Sequence, residues 1–286
     1  KRGNDLVSNF SGKTGAGYLT RTADGSAVAS GNRYKLYNTA ITQEPMTLRL
    51  EITRQTLIYT DGGNLDASGD LIKSFKVTLV KAGAQIFNRA FTSGAGVTAG
   101  IRVVPYGDGV PLCSTAHPRA DGGTAQSNAS STGIPLTETN VETGRIALLN
   151  QLEDDGVALL APGKIYVVVG INNSKTAQII TKSDQRSGTG NNDFNIYFGG
   201  YMKVMVQKWL DSGVSASGVG SNTQWFLAVP NWSKLAITIS AGPELEYSKD
   251  KDTKAGLWDV IIDVSVCFYD WRGIWGSQGN NAAYSS

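Results

Sequence analysis

The chain has 286 residues but only one histidine, His117, and only two cysteines, Cys113 and Cys267. Histidine is the side chain that titrates near neutral pH without help from its surroundings, so it is the usual acid or base of a catalytic site. His117 follows Cys113 by four residues, in the run from Leu112 to Pro118. Any nucleophilic chemistry that uses a histidine would have to be located in this run.

Two interpretations of the run compete. In a cysteine hydrolase, Cys113 would be the nucleophile and His117 its base. However, such partners usually come from distant parts of a chain, and Pro118 biases His117 toward extended backbone, away from a shared helix face. We favour a buried apolar thiol beside a histidine that hydrogen-bonds a turn. Because a structural zinc site needs about four ligands and Cys267 has no ligand-type spacing around it, we predict no metal and no cofactor.

The composition excludes several classes of protein. Only 17% of the residues are charged, against about 25% in ordinary globular domains, and the 34 glycines predict long irregular segments. A net charge of +2 gives no polybasic signature of a nucleic-acid binder. No apolar run approaches the roughly 18 residues that span a bilayer, and the amino terminus lacks the apolar segment of a secretory signal. The sequence thus predicts a soluble protein made inside the cell, without a membrane partner.

The first half of the chain divides into three patterns. Residues 1–31 are polar and rich in glycine, serine and threonine, so we expect an arm that only a partner can order. Leu48 to Arg54 alternates apolar and polar residues, which predicts a strand. Apolar residues spaced by three and four between Ala67 and Phe91 predict a helix about 37 Å long, in which Gly83 would be a contact position.

The second half mixes helices and strands. Thr139 and Glu142 have the spacing of a capping box, which predicts a helix that runs to Leu152. The β-branched run Ile165–Val169 is typical of a strand buried on both faces. The remaining predicted elements are a short helix at 174–182 and strands at 201–206, 225–229, 235–239 and 257–268. Interspersed elements of this kind indicate an α+β fold.

Several segments, in this order, resemble the major capsid protein of tailed bacteriophages, in particular the Mu-like major head subunit group. They cover most of the chain from about residue 65 onward. The matching segments are Asn88–Phe91, Leu112–Pro118, Gly122–Thr124 with Asn128, the helix Val141–Leu152, Asp154–Gly156, Leu159–Pro162, Asp211–Leu227 and Tyr269–Gly276.

The resemblance implies a shell subunit of the tailed-phage fold without enzymatic activity. It places an amino-terminal arm at 1–31, an extended β-hairpin loop at 32–62, a peripheral domain with a spine helix at 63–140, an axial domain mostly at 141–254, and a return to the peripheral domain at 255–286. The start at Lys1 would fit removal of a scaffolding segment or a trimmed chain.

The same resemblance implies the partners of the protein. Its main partner would be itself, in the pentamers and hexamers of an icosahedral shell, with portal, scaffold or protease, and decoration proteins as further partners. The packaged DNA would be contacted without sequence specificity. The subunit would belong to the virion after assembly in the host cytoplasm.

Two further features have open interpretations. Arg49, Glu51 and Arg54 project from one face of the predicted strand, and we expect them to pair with charges on an adjacent subunit, although a solvated edge would show the same pattern. The six tryptophans could form the platform of a β-rich carbohydrate- or surface-binding module. We favour core and interface anchors, since large aromatic side chains dominate both.

Overall fold

The computed structural model describes residues 7–10 as backbone, and 37–59, 66–94, 96–98, 101–159, 163–185, 194–210, 221–240 and 242–281. The described helices are α1 Arg54–Tyr59, α2 Ala67–Asn88, α3 Glu138–Leu149 and α4 Ser174–Lys182. The described strands are β1 Val7–Phe10, β2 Thr39–Thr42, β3 Glu44–Ile52, β4 Gly96–Thr98, β5 Ile101–Val104, β6 Ile165–Val169, β7 Met202–Val206, β8 Trp225–Ala228, β9 Leu235–Ile239, β10 Glu244–Lys249, β11 Gly256–Phe268 and β12 Ile274–Ser277. None of the helices in these ranges is both long and apolar enough to cross a membrane.

The long strand β11 organises a six-stranded sheet. It pairs antiparallel with β3, β9 and β10 and parallel with β5, and β5 pairs with β4. Val260, Ile262 and Val264 alternate with less buried neighbours along its first half. The alternation confirms the strand that the sequence predicts at 257–268, and it gives the sheet one apolar face against which α2 packs.

A second sheet, of four strands in the order β12-β8-β6-β7, lies on the other side of α2. Phe226 of β8 and Ile274 of β12 share a core with α2, whereas Leu227 and Trp275, their neighbours in sequence, point into a core with α3. Both faces of this sheet are therefore covered. The prediction of a strand buried on both faces at Ile165–Val169 is confirmed.

Helix α2 is the predicted long helix, but it ends earlier than expected. The sequence predicts an end at Phe91, and the helix ends at Asn88. The buried Asn88 amide donates a hydrogen bond to the Trp209 carbonyl at 2.9 Å, and the Ala90 carbonyl accepts one from the Cys113 amide at 2.7 Å. These tertiary bonds draw the backbone out of the helix. Ile72, expected on the buried stripe, is 48% exposed.

Helix α3 begins two residues before the predicted capping box. Thr137 is the N-cap, and its hydroxyl accepts a hydrogen bond from the Asn140 amide at 3.3 Å. The capping box at Thr139 and Glu142 is therefore wrong. Glu142 instead accepts hydrogen bonds from Arg145 and from the Tyr197 hydroxyl, so the helix uses this carboxylate for tertiary contact rather than for its own end.

Strand pairing around the amino terminus differs from the expected hairpin at 32–62. The two described strands of that range, β2 and β3, do not pair with each other, because β2 pairs with β1 and β3 pairs with β11. The hairpin is formed by β1 and β2, with residues 11–36 between them outside the described residues. Apart from the β1 backbone, the predicted arm at 1–31 also lies outside the described residues.

Strand pairing also divides residues 141–254, which were expected to form most of the axial domain, between the two sheets. Strands β9 and β10 fall within it, yet they pair with β11 in the sheet that carries α2. Conversely, β12 follows the return strand β11 but joins the sheet of β6 and β8. Strands β1, β2, β4, β5, β10 and β12 were not predicted. Five of them have only three or four residues, too few to show a period, and all residues of β10 are exposed, so it has no buried face to give a pattern.

Two helical glycines provide a matched test of packing. A Cβ atom on Gly144 of α3 would lie 2.8 Å from the Trp275 ring, whereas one on Gly83 of α2 would lie 3.8 Å from Ile237 Cδ1. We expect Gly144→Ala to lower the free energy of unfolding by about 1–3 kcal/mol through overpacking. Gly83→Ala should raise it by roughly 0.5–1 kcal/mol, because alanine has the higher helix propensity.

Urea unfolding of the unassembled subunit, followed by circular dichroism, measures both changes. Equal effects of the two substitutions would contradict the packing of α3 against Trp275 described above.

Candidate functional site

The single histidine lies in the protein core. The side chains of His117 and Asp108 have no exposed surface, and the His117 Nδ1 atom lies 2.8 Å from Asp108 Oδ2. The ring stacks on Trp271 at a centroid distance of 4.2 Å and an angle of 10°. Backbone hydrogen bonds in both directions to Gln126 hold His117 in an isolated β-bridge. The histidine therefore connects the two ends of its own loop region, at Asp108 and Gln126, to the distant Trp271.

The second ring nitrogen of His117 is also occupied. Its Nε2 atom lies 3.2 Å from Asn128 Oδ1. The amide nitrogen of Asn128 donates to the Leu112 carbonyl at 2.7 Å, which fixes the orientation of the side chain. Since Asn128 Oδ1 is only an acceptor, His117 Nε2 is a donor. No ring nitrogen remains to remove a proton from a nearby thiol.

Cys113 has the environment of a packing residue. It is 3% exposed, and its sulfur lies against Gly276 and Phe226. Burial raises the pKa of the Cys113 thiol far above its usual value, so the thiolate is not available at neutral pH. Cys267 is likewise buried and free, and burial raises the pKa of its thiol. This geometry does not support the cysteine-hydrolase interpretation.

A buried charge cluster lies beside the histidine, and the sequence analysis missed its pairing. Arg272 is 4% exposed, and its two terminal nitrogens lie 2.7 Å from Asp154 Oδ1 and 2.8 Å from Asp270 Oδ1. Its Nε atom donates to the Leu152 carbonyl at 2.8 Å, and its guanidinium lies 4.9 Å from the centre of the Trp271 ring. Burial lowers the pKa of Arg272, but the two carboxylates outweigh burial and raise it.

Two glutamine side chains connect the same loops. Gln126 and Leu152 exchange two hydrogen bonds, of 3.1 and 2.8 Å, between the glutamine side chain and the Leu152 backbone. Gln151 donates to the Ile274 carbonyl and accepts from the Gly273 amide. Together with Arg272, these bonds tie the loops after β5, α3 and β11 into one buried polar junction, which we call the Arg272 junction. Most of its polar groups bond to one another, and Asp154 Oδ2 is buried without a hydrogen-bond partner among the described residues. The role of the junction is therefore to hold the fold.

Two of the predicted contact residues lie on a three-stranded ribbon formed by β3, the first half of β11, and β10. Arg49 forms a two-pronged ion pair with Asp259 of its own chain, at 2.7 and 2.8 Å. This pair raises the pKa of Arg49 and lowers that of Asp259. Glu51 lies on the same face of β3, whereas Arg54 is the first residue of α1 and not part of the strand. The strand therefore brings two of the three residues together.

The opposite face of this ribbon is apolar and partly open. Tyr247, Trp258 and Leu50 lie side by side across the three strands, and Leu245, Val260 and Leu48 form the next row. The Tyr247 and Trp258 rings are 4.9 Å apart, yet Tyr247 is 59% exposed. A cavity of about 180 Å³ continues this face between the ribbon and α2. A subunit on its own thus leaves apolar surface in water.

Residues 14–277 match the family described as Phage capsid protein. The chain belongs to this family. It is a structural capsid protein, and the resemblance to tailed-phage major capsid proteins is confirmed. No curated protein matches the chain.

Solved structures extend the comparison to the fold. The capsid subunit is similar to a structure of Mycobacterium phage Patience, with 12% identity and a TM-score of 0.54 over 98% of this chain and 81% of that chain. It is also similar to the capsid of a native GTA particle, with 16% identity and a TM-score of 0.51 over 93% of this chain and 83% of that chain. A third similar structure is the capsid of Myoviridae phage XM1, with 11% identity and a TM-score of 0.51 over 96% of this chain and 86% of that chain. These similarities confirm the predicted fold class.

Most of the tryptophan surface of the capsid subunit is buried. Trp225, Trp271 and Trp275 are at most 2% exposed, and the other three are half-buried. This arrangement supports the role of core anchors over the carbohydrate-binding alternative. Within the described ranges, no three histidine, cysteine or acidic side chains are grouped as metal ligands.

The Arg272 junction gives a direct stability test. Arg272→Ala leaves Asp154 and Asp270 buried without their cation, so we expect the free energy of unfolding to fall by about 3–5 kcal/mol. The control is Lys234→Ala, which removes a 58% exposed lysine lying 3.5 Å from the same Asp270 and should cost less than about 1 kcal/mol. Urea unfolding of both variants measures the difference, and similar losses would contradict a central role for the junction.

Proposed function

We propose that this capsid protein is the major head subunit of a tailed phage, which self-assembles through pentamers and hexamers into a closed icosahedral shell around the viral genome. The observation that supports this best is the open apolar face of the ribbon, where Leu48, Leu245 and Tyr247 are 46%, 48% and 59% exposed. Burial of such surface on neighbouring subunits is favourable by roughly 25 cal/mol per Å².

Several weak contacts per subunit are enough for such a shell. Once two contacts of a subunit have formed, a third forms at high effective concentration, so modest interfaces add up to a stable particle. The wall of the shell needs no catalysis, in agreement with a family whose role is structural. We therefore infer that the subunit is not an enzyme.

We assign the domains of the subunit according to which strands pair with each other. We assign the sheet of β11 with α2 to the peripheral domain, and the sheet of β6, β7, β8 and β12 with α3 and α4 to the axial domain. The β1–β2 hairpin with residues 11–36 is our assignment for the extended loop. We keep portal, scaffold or protease, and decoration proteins as proposed partners, and the host cytoplasm as the proposed place of assembly.

The genome is proposed to contact the shell without sequence specificity. A net charge of +2 supports this, because a subunit that reads bases or tracks the phosphate backbone needs a basic surface of its own. Packaged DNA would then be neutralised mainly by mobile cations.

Electron microscopy of the purified protein tests the proposal. We expect closed shells of uniform diameter, or rings of five and six subunits, at micromolar protein concentration. Sedimentation velocity on the same sample should show a large particle and little free subunit. A chain that stays monomeric under all assembly conditions would overturn the proposal.

The predicted contacts of Arg49, Glu51 and Arg54 remain a proposal, and the Arg49–Asp259 ion pair allows a sharper test. Arg49→Asp places two carboxylates together and should lower the yield of particles. If Arg49 acts within its own chain, the exchange Arg49→Asp with Asp259→Arg should restore the yield. If Arg49 binds a neighbouring subunit, the exchange should remain defective.

Arg54→Glu and Glu51→Lys, made separately, complete this test. A yield unchanged by every one of these substitutions would show that the three residues form a solvated edge. Particle yield is measured by sedimentation of equal amounts of soluble protein.

A further inference from the structure

Both ring nitrogens of His117 face atoms that accept hydrogen bonds. Its Nδ1 atom lies 2.8 Å from Asp108 Oδ2, and its Nε2 atom lies 3.2 Å from Asn128 Oδ1. A neutral imidazole carries one hydrogen and can donate to one of these atoms only, whereas an imidazolium donates to both. The charge of the single histidine therefore depends on whether each partner is a true acceptor.

Two bonds of the Asn128 side chain fix the acceptor beside Nε2. The Asn128 Oδ1 atom accepts a hydrogen bond from the Ser114 amide at 2.8 Å, and its Nδ2 atom donates to the Leu112 carbonyl at 2.7 Å. A flip of the side-chain amide would place two donors together at Ser114 and two acceptors together at Leu112. Asn128 therefore presents its oxygen to His117, and Nε2 carries a hydrogen.

The acceptor beside Nδ1 is a carboxylate. Asp108 Oδ1 accepts a hydrogen bond from the Val110 amide at 3.2 Å, and such bonds favour the ionised form of a carboxyl group. The alternative is a neutral pair, in which the shared hydrogen sits on Asp108 and Nδ1 is bare. In model peptides an aspartic acid loses its proton at about pH 3.9 and a histidine at about pH 6.5, so the hydrogen belongs on Nδ1.

The charges near the ring call for a second cation. Asp108, Asp154 and Asp270 all have buried side chains. Arg272 pairs with the last two, and within the described ranges Asp108 forms no ion pair with a lysine or an arginine. A buried carboxylate without a cation is strongly destabilising. A protonated His117 supplies the positive charge that Asp108 needs.

Trp271 offers the His117 ring a surface that favours a cation. The two rings are parallel to within 10°, with their centres 4.2 Å apart, and the Arg272 guanidinium lies 4.9 Å from the centre of the same indole. The face of an aromatic ring attracts positive charge, and the attraction is stronger away from water. Trp271 thus contacts both cations, at the point where the chain passes from β11 to β12.

We propose that His117 is a buried imidazolium, and that its ion pair with Asp108 holds the loop between β5 and α3 against the passage from β11 to β12. All the contacts lie within one subunit, so the proposal does not depend on the assembly function. The ion pair exists only while the ring keeps both hydrogens. Removal of one would leave the Asp108 carboxylate buried without a cation, and the loop would lose its charged link to Trp271.

Nitrogen NMR of the native chain tests the proposal directly. Because the chain has a single histidine, isotope-labelled histidine gives two ring signals that need no assignment by mutation, provided that no histidine tag is present. At about pH 8, an ordinary histidine with a pKa of about 6.5 is almost entirely neutral. Both nitrogens of His117 should nevertheless show the shift of a protonated nitrogen and a one-bond coupling to hydrogen. A bare Nδ1 at this pH would overturn the proposal.

Two matched substitutions in the same loop show which carboxylate holds the proton. Asp108→Asn removes the carboxylate beside Nδ1, so this nitrogen should lose its hydrogen at about pH 8. Asp121→Asn removes the carboxylate that pairs with Arg119, and both ring signals should stay as in the native chain. Identical spectra of the two variants would contradict the ion pair.

The stability of a double variant provides a second readout. His117→Gln leaves the Asp108 carboxylate buried without a cation, and the further change Asp108→Asn removes that charge. In urea unfolding, the double variant should have an unfolding equilibrium constant at least about tenfold smaller than that of His117→Gln alone. If the histidine variant does not fold, recovery of folded protein in the double variant is the same result. A double variant no more stable than His117→Gln would count against the ion pair, and the spectrum of the native chain decides even where no variant folds.

Discussion

The Arg272 guanidinium holds the point where the chain passes from one sheet to the other. It lies between the end of β11 and the start of β12, with carboxylates of Asp154 and Asp270 on its two sides. A buried cation between two anions is tolerated only when its geometry is fixed and its remaining protons are bonded. The direction in which β12 leaves β11 is therefore determined, and with it the placement of the two cores on either side of the four-stranded sheet.

A fixed polar centre of this kind suits a subunit that binds neighbouring subunits through its edges. The polar junction and the two cores lie near α2, and the surfaces left open lie on the ribbon and on the β1–β2 hairpin. Strand β11 belongs to both regions, because its second half is buried and its first half projects with β3 and β10. One continuous, hydrogen-bonded strand thus connects the ribbon to the core.

The sequence predicted the elements whose pattern is local. The period of α2, the buried run of β6 and the alternation of β11 all depend on neighbouring residues, and all three were found. Strand partners depend on distant residues, so the sequence placed an extended hairpin at 32–62, whereas β2 of that range pairs with β1 and β3 pairs with β11. The pairing of Arg272 with Asp154 could not be predicted, because 118 positions separate them and no periodic pattern links buried charges.

The edges of the ribbon explain why contact between subunits should use its faces. Two copies could otherwise add β3 of one to β10 of the other and extend the sheet without limit. Pro45 has no backbone N–H group, so β3 has one hydrogen-bond donor fewer. Glu244 and Glu246 place two negative charges along β10. Such edges resist pairing with each other, since the approach of a second acidic ribbon is repulsive. What remains is an apolar face that gains by burial, so the ribbon favours contact through its face over open-ended sheet growth.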